Sequence, residues 1–270
     1  MRRITSRHNE RLRDVARLIA SSRERRKSGR CVLEGAHLID VYIARIGTPQ
    51  MMVVAEDALV RADVAALVGQ VPPGRTIIVS RKLFDQVASL PADIGVLAVI
   101  PTPRMEPRKE ADLCLLLDDV QDPGNVGSMI RTAAAAGVAQ VILSPRCAFA
   151  WAPKVLRAAQ GAHFLTSIVE DADLVAWAGA FKAMRGRVFA TVVAGATPLY
   201  EADLCGRIAI AIGSEGRGVS DALLAAADRR IVIPMASGSE SLNAAAAAAV
   251  TLFEAVRQRA MRASRPDERA

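Results

Sequence analysis

Three polar, glycine-containing stretches each follow a strongly apolar run, and they hold the residues best suited to chemistry. The first is Asp122-Pro123-Gly124-Asn125-Val126-Gly127-Ser128-Met129-Ile130-Arg131. The second is Ile212-Gly213-Ser214-Glu215-Gly216-Arg217-Gly218. The third runs from Ile233-Pro234-Met235 to Ser241-Leu242-Asn243. In an open α/β sheet, ligands bind where strands end in such loops. Gly124-Asn125-Val126-Gly127 is not a dinucleotide fingerprint, and no Walker motif exists, so nucleotide phosphoryl transfer is disfavoured. Glu215 among glycines is a poor neighbour for phosphate. A neutral or cationic ligand held by backbone groups suits these loops better. Turn chemistry is the ordinary explanation of each loop taken alone.

The elements that must position these loops are legible from periodicity. Leu113 to Leu117 is apolar on both faces, as a central parallel strand requires. Further strands are expected at 140–143, 187–193, 208–212 and 231–233. A helix is expected from Asn125 to about Ala136, and a long Ala-rich helix from Ser241 to about Ala263. Asn125 and Ser241 are the expected N-caps of these two helices, which would leave Asn243 free to face a substrate. Upstream, one amphipathic helix is expected over 8–27, with Leu12, Val15 and Ile19 on a shared face. Strands are expected at 31–35, 51–55, 76–79 and 96–100, with helices from after Gly35 to about Arg45, over 57–69 and over 81–88. Strands alternating with helices indicate α/β architecture. The proline-rich, charged stretch 101–110 breaks the pattern. It divides a domain at 1–100 from one at 111–270.

The 270 residues are 51% apolar and 23% charged, with mean hydropathy +0.23, which excludes wholesale disorder. No apolar run reaches the roughly 20 residues of a membrane span, and no secretory signal is expected at the N-terminus. Net charge is +7. Residues 1–30 hold eleven Arg or Lys against three acids, so this segment carries +8 and the remainder −1. The cations are 30 Arg and only five Lys. A coding bias explains that preference but not the clustering, and Arg suits phosphate forks and base stacking. The basic tail Arg257, Arg259, Arg262, Arg265 reads as a solvated, fraying helix end. The four cysteines and three histidines form no metal pattern. Scattered Cys within apolar runs fit a reducing cytoplasm.

In this order and spacing, the three loops resemble the SpoU/TrmH branch of the SPOUT methyltransferase superfamily. The resemblance is strong over about 112–262. The front part, with Leu33-Glu34-Gly35, resembles the ribosomal-protein-like RNA-binding domain that many members carry. The resemblance implies S-adenosylmethionine-dependent methylation of a ribose 2′-hydroxyl in RNA, a C-terminal parallel-sheet domain with a deep trefoil knot, and a homodimer through that domain. Ribosomal RNA is the favoured substrate. Transfer RNA, or a non-catalytic RNA-binding protein on the same fold, are the alternatives. No metal or membrane partner is implied.

The resemblance places Arg131, Glu215, Asn243, Asn125 and Ser241 in the catalytic set, and Gly213, Ile233 and Leu242 at the cofactor. Met235 is a further candidate for the cofactor wall. Two roles fit Arg131: it organises a substrate phosphate and stabilises the alkoxide, or its surroundings lower its pKa enough for it to act as base. Glu215 is expected to orient Arg131. Two departures from the family are Ser214, where many members have Asn before Glu, and the six alanines Ala244 to Ala249. The latter suit close helix packing.

Overall fold

The computed structural model describes residues 1–89, 94–103, 108, 110–236 and 241–264. The chain divides into two units, Met1–Pro103 with Trp151–Phe164, and Arg104–Ala150 with Leu165–Ala270.

The first unit contains, in order, β1 (Arg2–Ile4), α1 (Glu10–Ala20), α2 (Ser22–Ser28), β2 (Arg30–Glu34), α3 (Ala36–Arg45), β3 (Met51–Ala55), α4 (Ala62–Gln70), β4 (Thr76–Val79), α5 (Arg81–Asp85) and β5 (Val96–Pro101). Its sheet has the order β1-β4-β3-β5-β2. β1, β4 and β3 are mutually parallel, whereas β5 runs antiparallel to both β3 and β2.

Three expectations are corrected here. The stretch 8–27 is two helices, because Ser21 ends α1 and its hydroxyl accepts from Glu24 N at the start of α2. The break is stabilised by Arg25, which is buried and donates to the α1 carbonyls of Leu18 (2.6 Å) and Ile19 (2.8 Å). Leu18 rather than Ile19 joins Leu12 and Val15 in the core. Arg2 and Arg3 belong to an edge strand that periodicity did not reveal. The helix expected over 57–69 is a short 3₁₀ turn at Glu56–Val60 followed by α4.

The second unit begins with β6 (Leu113–Asp118), α6 (Pro123–Ala135) and β7 (Gln140–Leu143). The next helix, α7 (Pro153–Ala159), lies in the segment that packs with the first unit, although its sequence falls inside the stretch read as the second domain. Trp151, His163 and Phe164 are buried there, and Phe164 meets Tyr42 of α3 edge-on at 5.4 Å. The second unit continues with β8 (Ser167–Val169), α8 (Leu174–Ala183), β9 (Arg187–Val192), β10 (Thr197–Pro198), β11 (Ile208–Gly213), α9 (Asp221–Ala226), β12 (Arg229–Val232) and α10 (Ala244–Ala263).

Its seven strands are all parallel, in the order β10-β12-β9-β11-β6-β7-β8. β6 and β11 are buried along their whole length, as continuous apolar runs demand in a sheet covered on both faces. Cys114, Leu116, Ala209 and Ala211 pack in one core with Leu174, Phe181 and Leu223 from the covering helices.

The register pairs Gly213 with Asp118, so the first and second loops leave the sheet side by side. The basic tail is not simply solvated: Arg257 pairs with Glu254, and Arg259 donates to the carbonyls of Asp112 and Gly206. Arg104–Pro107 and Lys109 of the expected linker, Ser237–Glu240 of the third loop and Arg265 of the tail lie outside the described residues. Among the described residues, no helix is long and apolar enough to cross a membrane.

Candidate active site

The first loop turns into α6 through Asp122, whose carboxylate accepts from Asn125 N at 2.8 Å, with Pro123 in the first helical position. Asp122 is therefore the N-cap, and the expectation that Asn125 caps is corrected. The side chain of Asn125 is used elsewhere. The third loop enters α10 through Asn243, whose Oδ1 accepts from Ala245 N (3.0 Å) and Ala246 N (3.2 Å). Asn243 is the cap here, not Ser241, because it lies one residue before the helix and reaches its first free N–H groups.

The capping bonds set the direction of a chain of side-chain contacts. With Oδ1 of Asn243 committed to helix N–H groups, its Nδ2 donates to Asn125 Oδ1 at 2.9 Å. Asn125 in turn donates from Nδ2 to the carboxylate of Glu215. One residue from each loop thus joins a single polar relay, Asn243 to Asn125 to Glu215. Glu215 is held by Asn125 and not by Arg131, contrary to the sequence expectation.

The second loop closes on itself. Ser214 and Gly218 exchange backbone hydrogen bonds of 3.1 and 2.8 Å. A Cβ on Gly213 would lie 1.9 Å from the carbonyl carbon of Gly218 and 2.0 Å from Val219 N. The loop itself therefore requires glycine at 213, independently of any ligand. Asp118, buried at the end of β6, accepts from Ser220 N (2.8 Å) and pins the far side of the loop. Beside it Asp119 adopts φ 57°, with its carboxylate held by Ser144 and Arg146. The Arg146 guanidinium, aided by the Ser144 hydroxyl, holds the Asp119 carboxyl below the usual carboxylate range.

A cavity of about 590 Å³ opens among these loops. Gly213, Glu215, Ile233, Met235, Ser241, Leu242 and Asn243 all line it. Asn125 joins through its hydrogen bonds. Arg131 does not line the cavity. It is exposed on α6, and no described residue pairs with it, so a structural ion pair within one chain does not account for it. Asn125, Ser128 and Arg131 follow one another at three-residue steps along α6, a continuous ridge on the helix surface. Sequence reasoning missed Thr191, Val192 and Val193 at the end of β9, together with Arg217 and Ala247. The strand-end rule that flagged the other loops would have found the β9 residues.

Val193 (65% exposed) and Leu242 (41% exposed) present aliphatic surface to this cavity, while Glu215 supplies a carboxylate. Cavities of this size, apolar with a few placed polar groups, are typical of small-molecule sites. A ligand crevice at the carboxyl ends of a parallel sheet marks the second unit as an α/β enzyme domain.

The sequence profile of the SpoU rRNA Methylase family matches residues 112–253. The 23S rRNA (guanosine(2553)-2′-O)-methyltransferase RlmP of Bacillus subtilis is 32% identical over 253 residues, covering 94% of this chain and 98% of that protein. The mitochondrial rRNA methyltransferase 3 of Homo sapiens is 27% identical, covering 93% of this chain and 73% of that protein. Among solved structures, the SpoU methyltransferase AviRb from Streptomyces viridochromogenes, in complex with the cofactor AdoMet, superposes with a TM-score of 0.85 at 26% identity. It covers 96% of this chain and all of its own. The chain belongs to the SpoU rRNA Methylase family.

Proposed function

We infer that this protein methylates a ribose 2′-hydroxyl of ribosomal RNA with S-adenosylmethionine. The observation that carries the reading is the Asn243–Asn125–Glu215 relay, which ties three separate loops around one cavity. The residues present fit the cofactor. Ile233, Leu242 and Met235 offer an aliphatic wall to an adenine ring, and Glu215 gives the lining a carboxylate complementary to a sulfonium cation. When bound, the cofactor supplies an electrophilic methyl group.

The chain's own residues then position and polarise the acceptor. Gly213 and the loop it permits shape the cavity. Asn125 and Asn243 fix Glu215, and Ser241 lines the cavity beside Leu242 and Asn243. Arg131 engages a backbone phosphate of the RNA and stabilises charge on the 2′-oxygen as its proton departs. The stabilising role is preferred over that of base because a guanidinium offers five N–H donors and no acceptor.

Finer features complete the reading. The second unit holds a deep trefoil knot, a reading supported by membership of the family. Two copies pair through this unit. An apolar stripe at helical spacing on α10, Ala246, Ala249, Val250 and Phe253 (48% exposed), supports that pairing. Residues 1–100 form an RNA-binding domain, supported by the +8 charge of residues 1–30. All four cysteines are free, which suits a reducing cytoplasm.

Incubation with ribosomal RNA, transfer RNA and methyl-labelled S-adenosylmethionine, followed by mapping of 2′-O-methyl riboses, tests the function. One methylated ribose in ribosomal RNA is expected. Label on transfer RNA would move the substrate. Cofactor binding without any label on RNA would overturn catalysis.

A further inference from the structure

A second cavity, of about 440 Å³, lies wholly within the first unit. Its walls come from three separated stretches: Glu34 to Leu38 at the β2–α3 junction, Arg61, Asp63 and Ile94, and Leu156, Arg157 and Gln160 from α7. Leu38 and Leu156 are buried and give it an aliphatic floor. The rim is polar. Glu34 accepts from the backbone N–H (3.0 Å) and hydroxyl of Ser89, and Arg61 clasps Asp63 at 2.7 and 3.2 Å. His37 and Arg157 are exposed, and their side chains make no hydrogen bond or ion pair to a described residue.

Gln160 supplies the most informative detail. It ends α7 with φ 50°, a left-handed position that glycine occupies most easily. Only one amide hydrogen is used locally, in the 2.9 Å bond from Nε2 to Arg157 O. Gly161 follows at φ 88°, where a Cβ would press within 3.1 Å of Val41, so α3 fixes this turn. A glutamine side chain is therefore kept, at a conformational cost, on the lip of a cavity. Non-glycine residues in such positions concentrate at ligand sites.

Charge decides the class of ligand. Two carboxylates, Glu34 and Asp63, face two guanidinium groups, Arg61 and Arg157, so the rim is balanced and a phosphate gains little. A nucleobase suits it better. Bases splayed out of single-stranded RNA stack on aromatic rings or guanidinium planes and present donors and acceptors at their edges. Gln160 and His37 each offer both kinds of group.

We propose that this cavity captures one unpaired nucleobase of the RNA substrate, other than that of the methylated nucleotide, with Gln160 reading its edge and Arg157 lying against its face. The proposal rests on RNA being the substrate, and its test separates the two. The shortest ribosomal RNA fragment methylated by the full-length protein is prepared with single abasic substitutions at each unpaired position, and binding is measured for the wild type, Arg157→Ala and Gln160→Gly.

Gln160→Gly removes the side chain while relieving the backbone, so it leaves thermal stability equal or higher. At one position, base removal weakens wild-type binding on the order of tenfold. Each variant loses a similar factor on intact RNA and nothing further on that abasic RNA, with cofactor affinity unchanged. Variants that bind intact RNA like the wild type overturn the proposal. A loss that is the same at every abasic position, the mark of a phosphate contact, also overturns it. In both cases the methyltransferase reading stands. If the wild type methylates no ribosomal RNA fragment, that reading fails and takes this one with it.

Discussion

In the second unit, polar side chains from distant loops end on one another: Asn243 holds Asn125, which holds Glu215. In the first unit, several charged side chains form separate ion pairs and others stand exposed. Arg30 forks onto Asp14 at 2.7 and 3.1 Å, Arg61 onto Asp63 and Arg81 onto Asp57. Arg2, Arg11, Arg13 and Arg23 stand exposed, and their side chains make no ion pair with a described residue. A reaction centre needs groups fixed to a fraction of an ångström, so its residues are cross-linked by hydrogen bonds. Binding of a long polyanion needs only accumulated charge within reach of phosphates. The proposed function uses both designs in one chain.

The contrast is broken most severely at Arg131. Arg131→Ala should lower methyl transfer on the order of 10²–10⁴-fold. Cofactor affinity, followed by calorimetry, should stay within a few-fold, because Arg131 does not line the cavity. Near wild-type turnover would remove this residue from the mechanism.

Asn125→Ala cuts the relay at its centre and leaves the carboxylate of Glu215 untethered. Turnover should fall by about one to two orders of magnitude, in keeping with loss of a hydrogen bond to a charged group worth ~1.5–3 kcal/mol. Asp122 still caps α6, so the melting temperature should move little. A large drop in melting temperature with unchanged turnover would make the relay merely structural.

The first unit should respond in a different currency, the salt dependence of RNA binding. Replacing Arg11, Arg13 and Arg23 by Ser should weaken binding. It should also flatten the slope of log K against log salt by about 0.7–0.9 for each phosphate that is no longer neutralised. Cofactor binding should not change. Point changes are preferable to deleting residues 1–103, since deletion would strip Tyr42 from buried Phe164. An unaltered slope would assign these arginines to solubility alone.

The smallest effect concerns Asp119. Its carboxyl titrates below the ordinary range through Arg146 and Ser144, so its ionised form stabilises the fold above the unfolded-state value of about 4. That contribution is lost as the pH falls through the lower folded-state value. Asp119→Asn should therefore reduce stability at neutral pH by ~1 kcal/mol or less, because Arg146 is largely exposed. The gap to wild type should close in the acid limb. A constant gap across the pH range would exclude the charge as its cause.

Loops with a shared strand-end logic were legible in the sequence, and so were the central strands that launch them. Leu113–Leu117 and Ile208–Ile212 are apolar at every position, a local property that specifies a doubly covered strand. Edge elements escaped notice. β1 is three residues long and β10 two, with mostly half-exposed or exposed side chains, so neither carries a periodic signal. The caps shifted by a few residues because Asp122 competes with Asn125, and Asn243 with Ser241. All four are good caps in isolation, and the start of each helix depends on what the remaining side chain can reach.

Residue type and order alone determined that this chain alternates strands with helices, has a basic front end and carries three polar, glycine-containing loops after apolar strands, since each of these is written in local composition; the SpoU character of the loops came from their resemblance to that family. Only the tertiary structure decided who holds whom. Glu215 lies 90 residues from Asn125, and Asn243 lies 118 residues from it, so no spacing rule could join them. Nor could periodicity show that Trp151–Phe164 packs with the first unit and completes a cavity there. Such pairings depend on which strands lie side by side, and that order is set by burial of the whole sheet rather than by any short stretch of chain.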